Sequence, residues 1–215
     1  MERLWKINRT LIQKLEDTHY LITDADREAV STLQLFQASY PTRESMERVF
    51  KPIPGTIAES RSPQGLVVVY AELEEDKKHI SVEDVRRLIK KMQDTNVITA
   101  FFILNASLSS KAADTLRTSQ APGSLRVVVF GDHEMLFNIT KHNRVPKHYL
   151  LTASESHTWL TEAKLKRSQI PRVFQDDPMV KYIDGLVGDL VKVVRASPTC
   201  GVFVHHVTVV RRLGK

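Results

Sequence analysis

Cysteine is nearly absent. Cys200 is the only one in 215 residues, so neither an internal disulfide nor a cysteine-built zinc site can form, and a reducing compartment fits. Glycine is scarce as well, with 8 in the whole sequence, and no GxxxxGK[ST], GxGxxG or GxSxG pattern occurs. Loops that cradle phosphates or present a nucleophilic serine therefore have no support. No apolar run approaches the roughly 18 residues of a membrane span, and the opening Met1-Glu2-Arg3-Leu4-Trp5-Lys6 is amphipathic, unlike a secretory leader. Neither secretion nor membrane insertion is expected. A block of like charge is also missing. The formal charge of +6 biases the chain toward polyanions, but bases and acids are mixed almost everywhere, and the only short basic cluster is Arg211, Arg212 and Lys215. A mixed, solvated surface is the simpler reading.

What is present is ordinary globular material: 42% hydrophobic and 26% charged residues, enough apolar content to build a core. Leu4, Ile7, Leu11, Ile12 and Leu15 share one stripe of a first helix, thickened by Trp5, with Lys6, Arg9 and Lys14 facing away. Thr23 stands three residues before Asp26 and opens a second helix, running through Leu33 and Phe36 to a stop at Pro41. Pro52, Pro54, Gly55, Pro63 and Gly65 mark an irregular stretch. Leu66 to Tyr70 reads as a buried strand, residues 72–78 as a polar turn, and Ser81 as the cap of a helix carrying Val85, Leu88, Ile89 and Met92. A strand from Val97 to Leu104, a short helix around Ala112, Ala113 and Leu116, and strands at Leu125–Phe130 and Met135–Ile139 complete an α/β pattern with right-handed crossovers.

Composition changes after Thr140, and the boundary falls at residues 141–143. Two domains follow, residues 1–140 and 144–215. In the second, Val145 precedes Pro146 and must be extended. Tyr149 to Leu151 reads as a strand, and Ser154 to Lys166 as a helix with Trp159, Leu160 and Ala163 inward. Ile170 to Val173 reads as an extended segment, Pro178 to Ile183 as a short helix, and Leu190 to Arg195 and Val202 to Val210 as strands flanking a turn at Ser197 to Gly201. The second domain is small α+β.

Two constellations could carry chemistry. His205 and His206 are adjacent on a strand, so they point to opposite faces and cannot close on one metal. Glu75-Asp76-Lys77 spells the acid-x-Lys half of a metal-dependent nuclease site. It lies in a polar turn beyond a strand, whereas such a site needs its carboxylates and lysine fixed on the strand itself. Neither is read as a site. No catalytic residue, metal or cofactor is expected.

The second domain carries a series of markers in order: Asn138-Ile139-Thr140, His142, Val145-Pro146-Lys147-His148, Leu165, Gln169-Ile170-Pro171-Arg172, Asp177-Pro178, Tyr182, Gly188, Val191-Lys192, Arg195, Ser197, Thr199 and Gly201. This series resembles the small subunit shared by eukaryotic nuclear RNA polymerases I, II and III, whose C-terminal domain is similar to a small subunit of the archaeal RNA polymerase. From Leu151 onward the spacing is similar without a gap. The N-terminal half is similar more loosely, through Leu4-Trp5-Lys6-Ile7, Thr10, Tyr20-Leu21 and residues 107–111.

The resemblance implies an N-terminal jaw of nuclease-like α/β fold without nuclease activity, beside downstream DNA, and a C-terminal domain docked on the largest polymerase subunit in the nucleus. It implies contact with the largest and other polymerase subunits through Pro146, Lys147, His148, Pro171, Arg172, Asp177, Pro178, Tyr182, Gly188, Lys192, Arg195, Ser197, Thr199 and Gly201. Ser107, Ser109, Ser110 and Lys111 are placed near DNA, touching it weakly and without sequence preference. Independent homo-oligomers are not implied. Three stretches depart from the family pattern: Asp184-Gly185-Leu186-Val187-Gly188 lacks a basic pair, Gly201-Val202-Phe203 stands for Gly-Arg-Tyr, and His206-Val207 stands for Tyr-Arg. A proline is also missing from the turn at residues 107–110. These departures suggest a variant dedicated to one class, such as the nucleolar polymerase I. The alternative is a stand-alone basic nucleic-acid-binding protein or metal-dependent nuclease built on the first domain.

Overall fold

The computed structural model describes residues 1–71, 79–95, 97–120 and 125–211. They form two compact units, Met1–Phe137 and Asn138–Lys215. The expected polar turn and the Glu75-Asp76-Lys77 triplet lie outside the described residues.

The first unit opens with α1, Glu2–Asp17. Helix α2, Asp24–Ala29, begins with the expected capping box, in which the Thr23 hydroxyl accepts from the Asp26 amide and the Asp26 carboxylate accepts from the Thr23 amide. The single second helix expected as far as Pro41 is in fact two, because α3, Leu33–Ser39, starts anew with Thr32 as its cap. The break has a non-local cause: Trp5 Nε1 donates to the Val30 carbonyl at 2.9 Å, satisfying a terminal acceptor that a continuous helix would have used. Strand β1 (Arg48–Phe50) forms just before the stretch read as irregular, and α4 (Ile57–Arg61) forms within it.

Strands β2 (Leu66–Ala71), β3 (Thr99–Leu104) and β4 (Arg126–Gly131) then run in parallel, connected by α5 (Val82–Asp94) and α6 (Ser110–Ser119). Strand β1 adds antiparallel to β2, giving the order β1-β2-β3-β4. The period of two along each strand divides the core into two layers. Val68, Tyr70, Phe101, Ile103 and Phe130 pack with Ile7, Leu11, Leu15 and Phe36. Val67, Val69, Ala100, Phe102, Leu104 and Val127 pack with Val85, Leu88, Met92, Ala112 and Leu116. Strands covered on both faces read as continuous apolar runs, which is why β2 and β3 were plain in the sequence.

Two expectations fail here. The helical pattern turns Lys14 to the solvent side of α1, yet it is fully buried, with Nζ 4.1 Å from the Phe101 ring centroid and 5.5 Å from that of Phe130. The faces of two aromatic rings supply the negative potential that a buried ammonium needs. The strand expected over Met135–Ile139 is replaced by two 3-10 turns, Asp132–Met135 and Ile139–Lys141. There, Glu134 accepts from the Gly131 amide and Asn138 accepts from the Thr140 amide, so side-chain acceptors within the segment bond flanking amides and favour local turns over an extended strand.

The second unit holds β5 (Lys147–Leu150), α7 (Ala153–Glu162), β6 (Arg172–Phe174), α8 (Pro178–Tyr182), β7 (Leu190–Ser197) and β8 (Gly201–Val210). The sheet order is β5-β7-β8-β6, antiparallel except for the parallel pair of β6 with β8. Its core is thin. Val180, Val191, Val193 and Val209 are buried, and Leu150, Val173, Ile183 and Val207 pack against them. Helix α7 ends at Glu162, four residues before the expected Lys166, and Lys164 just beyond it takes φ +53°. Ala163 is exposed, and Ser156 is the buried residue of that helix. No described helix is long and apolar enough to cross a membrane.

Candidate partner-binding surface

Cross-strand register assigns every side chain of the second sheet to a face. Val191, Val193 and Arg195 stand opposite Val207, His205 and Phe203, while His148 and Leu150 pair with Val193 and Val191. These residues share the core face. On the reverse face, Lys192 lies between Tyr149 and His206, with Lys147 opposite Val194 and Arg172 opposite Thr208. The Trp159 ring stacks on His206 at 4.0 Å between centroids, so α7 covers part of this reverse face.

The residues that the resemblance assigned to partner contact are therefore not one patch. Lys147, Arg172 and Lys192 share the reverse face, whereas His148, Arg195 and Ser197 belong to the core face. Pro146 is half-buried, and its carbonyl accepts from His148 Nδ1 at 2.8 Å. Asp177 caps α8, accepting from the Met179 amide at 2.9 Å, and Pro178 occupies the first helical position, where its missing N–H costs nothing. The carbonyl of Pro171 accepts from the Thr208 amide at 2.8 Å.

Tyr182 is buried, and Asn138 Nδ2 donates to its hydroxyl at 2.8 Å. The phenol thus ties the segment at Asn138 to α8, shaping the surface from within. Gly188 (φ +93°) and Gly201 (φ +69°) hold left-handed turns, at the entry to β7 and at the start of β8, a backbone that L side chains resist. At the hairpin turn, the Ser197 and Thr199 hydroxyls lie 3.1 Å apart. Hydrogen bonds, with Ser197 first and then Thr199, hold the exposed Cys200 thiol below its ordinary value.

Beyond the thin core, the β7–β8 hairpin continues with little cover. Val202 is 62% exposed, Phe203 47% and Val204 43%. Val202 and Phe203 are departures from the family pattern, whereas Val204 carried no such mark, and nothing local in the sequence shows that the three stand exposed together. Their apolar character was visible, but the length by which the hairpin outruns its neighbours was not. Beside them, Arg195 donates to His205 Nε2 at 3.3 Å and lies 6.0 Å from the Phe203 ring centroid. Burial first, then Arg195 and His148, holds His205 below its ordinary value. Burial, Lys192 and His205 do the same for His206.

In the first unit, Ser107, Ser109, Ser110 and Lys111, which the resemblance places near DNA, lie in a pinned turn after β3. Ile80 and Leu108 make a parallel bridge, the Ile80 amide donates to the Ser107 carbonyl, and the Ser109 amide donates to the Ile80 carbonyl. Ser109 caps α6 by accepting from the Ala112 amide, while Ser110 and Lys111 are exposed in the first turn. His79 Nδ1 lies 2.8 Å from Ser107 Oγ. One bridge thus places the starts of α5 and α6 side by side.

Residues 137–209 match the family described as RNA polymerase Rpb5, C-terminal domain, a stretch that contains the whole second sheet apart from Val210. The likeness continues beyond it. Over 209 residues the chain is 30% identical to the DNA-directed RNA polymerases I, II, and III subunit RPABC1 of Caenorhabditis elegans, covering 97% of this chain and 96% of that protein. The chain belongs to the Rpb5 family. The corresponding subunit of Caenorhabditis briggsae is likewise 30% identical over 209 residues. That of Dictyostelium discoideum is 28% identical over 204, covering 95% of each chain. At this distance the Rpb5 sequence tolerates wide change, so a position's role in this chain is argued from its own surroundings.

Proposed function

We propose that the chain is a non-catalytic structural subunit of nuclear DNA-directed RNA polymerase. The second unit attaches to the largest subunit, and the first unit, of nuclease-like α/β fold, forms a jaw beside downstream DNA. The observation that carries this reading is the likeness to shared polymerase subunits over nearly the full length of both chains. A thin core supports it, because a small domain with few fully buried side chains gains stability from a partner that covers more of it. Lys147, Arg172 and Lys192 on one face offer charge-assisted bonds to that partner. Affinity purification of the tagged chain from nuclear extract is expected to recover the largest polymerase subunit. Recovery as a free monomer would refute the reading.

For the jaw, two adjoining helix starts and the exposed Lys111 suit the phosphate backbone better than base edges. Lys111→Ala should weaken downstream DNA engagement slightly and equally for all sequences, so a strong base-specific loss would contradict the assignment. The apolar exchange at Val202, Phe203 and Val207 further suggests service to a single polymerase class, such as polymerase I in the nucleolus. Mass spectrometry of separately purified polymerases tests this, and equal amounts in all three would reject it.

A further inference from the structure

The second sheet has one long edge that no described residue of its own unit completes. Strand β8 pairs along its inner side with β7, from Leu190↔Thr208 to Ser197↔Gly201. Along its outer side it meets only β6, and only at Thr208, Val209 and Val210. From Gly201 to Val207 the outer side therefore has no neighbouring strand among the described residues.

The direction of the backbone groups follows from two hydrogen bonds. The Val209 amide donates toward β7, to the Asp189 carbonyl, whereas the Thr208 amide donates toward β6, to the Pro171 carbonyl. Because successive residues of a strand turn their amides and carbonyls to alternate sides, Val202, Val204 and His206 present theirs outward with Thr208. The Val202 amide turns back to the Cys200 carbonyl at 2.8 Å. That leaves the amides of Val204 and His206 and the carbonyls of Val202, Val204 and His206 facing out, with no backbone partner among the described residues. Pro171 is the reason the ladder stops where it does. The next parallel bond would run from residue 171 to the His206 carbonyl, and proline has no N–H to give.

Side chains along this edge indicate what it would accept. Val202, Phe203 and Val204 are all more than two-fifths exposed, an apolar rim for alternate side chains of an added strand. From Leu190 to Arg211 the sequence has no acidic residue, while Lys192, Arg195 and Arg211 carry positive charge beside His205 and His206. A second copy of this edge would bring the same basic segment against itself. A strand that alternates apolar with acidic residues meets both the apolar rim and the charge.

We propose that the outer edge of β8, from Val202 to His206, accepts an extended segment of another polymerase subunit whose side chains alternate between apolar and acidic. The added strand continues the sheet past Pro171 by backbone hydrogen bonds, and the basic hairpin selects its acids. The identity of the source rests on the polymerase-subunit reading above; the strand addition does not.

Two arms separate these dependencies. In the first, the full chain is titrated with a synthetic peptide of about seven residues, a common strand length, alternating valine and glutamate, and with a counterpart alternating valine and lysine. The glutamate peptide should bind and protect the Val204 and His206 amides from hydrogen exchange. Val204→Pro removes only an outward amide, so it should abolish that binding while the thermal midpoint stays near that of the parent, and Val204→Thr should bind as the parent does. Equal binding of the two peptides, or undiminished binding by Val204→Pro, overturns the proposal. So does a dimer that Val204→Pro dissolves, because the edge would then belong to a second copy. In the second arm, tagged parent and Val204→Pro chains are compared by recovery from nuclear extract. Loss of polymerase with the proline variant alone supports the proposal, and equal recovery of polymerase by both chains overturns it for this source. Failure of the parent to recover polymerase refutes the polymerase-subunit reading, while the peptide arm still decides strand addition.

Discussion

The two sheets solve the same problem with different means. The first is covered on both faces by helices, and Phe101, Ile103, Val68 and Ala100 are all fully buried. The second has a smaller central cluster, Val180, Val191, Val193 and Val209, with Ile170, Met179, Tyr182 and Leu190 buried around it, and its longest hairpin runs out beyond them. A sheet closed on both faces is stable within its own unit, whereas a thin sheet with an exposed apolar edge is better suited to being finished by another molecule. The difference separates a sheet enclosed within its own unit from one whose described edge and hairpin are left uncovered.

The hardest blow to the first unit should be Phe101→Ala. Its ring meets Phe130 edge-on at 5.3 Å and lies under the Lys14 ammonium, so truncation is expected to destabilise by about 3–5 kcal/mol and to take from a buried cation the nearer of its two rings. Denaturant titration should show the first unit losing its transition while probes in the second keep theirs. Simultaneous unfolding of both would dissolve the contrast.

Val191→Ala removes two methyl groups from the thin core, at about 2 kcal/mol. Though smaller, the loss should unfold the second unit in the isolated chain and be rescued when the partner is bound. Absence of rescue would mean that the core needs no help.

Helix caps provide a finer comparison. Ser81→Ala in the first unit and Thr152→Ala in the second each break a capping box, with an expected loss of about 1 kcal/mol apiece. The same loss should shift the melting of the second unit further if its reserve is smaller. At the hairpin, Val202→Ser and Val204→Thr should change stability by less than about 0.5 kcal/mol, because these side chains face solvent. A larger loss would place them in a core.

The smallest expected effect is electrostatic. His205 and His206 are both held below their ordinary value of 6.5, so the folded state prefers them neutral. Their contribution is present above 6.5 and is lost as pH falls through their lower folded values. Melting of the second unit should therefore soften slightly as pH drops from 7 toward 5, where the histidines titrate ahead of the carboxylates. The first unit should not follow it. Replacing both histidines with glutamine should flatten the dependence.

Strands β2 and β3 were legible because both of their faces are buried, and α5 was legible because Ser81 caps the stripe of Val85, Leu88, Ile89 and Met92. The division between α2 and α3 was hidden, since it depends on Trp5 reaching Val30 across 25 residues. Lys14 was misplaced by the usual behaviour of lysine; the packing of two phenylalanines distant in sequence, which brings their rings over its ammonium, is not visible in the local pattern. In the candidate surface, the sequence could show that Lys147 and His148 alternate. It could not show which face is the core, or that Tyr182 bonds inward to Asn138, because both depend on pairings between distant segments. The exposure of residues 202–204 was hidden for the same reason.

Strand order also carries a consequence for synthesis. In the first sheet, β2, β3 and β4 join in the order in which they are made, each beside its predecessor. In the second, β6 touches the sheet only through β8, so the residues that emerge earlier must wait for those that emerge last among the described elements. Translation at about 5–20 residues per second leaves the first unit complete while β6 is still without its neighbour. A ribosome that pauses before Gly201 would therefore hold a finished first sheet joined to a second that cannot yet close.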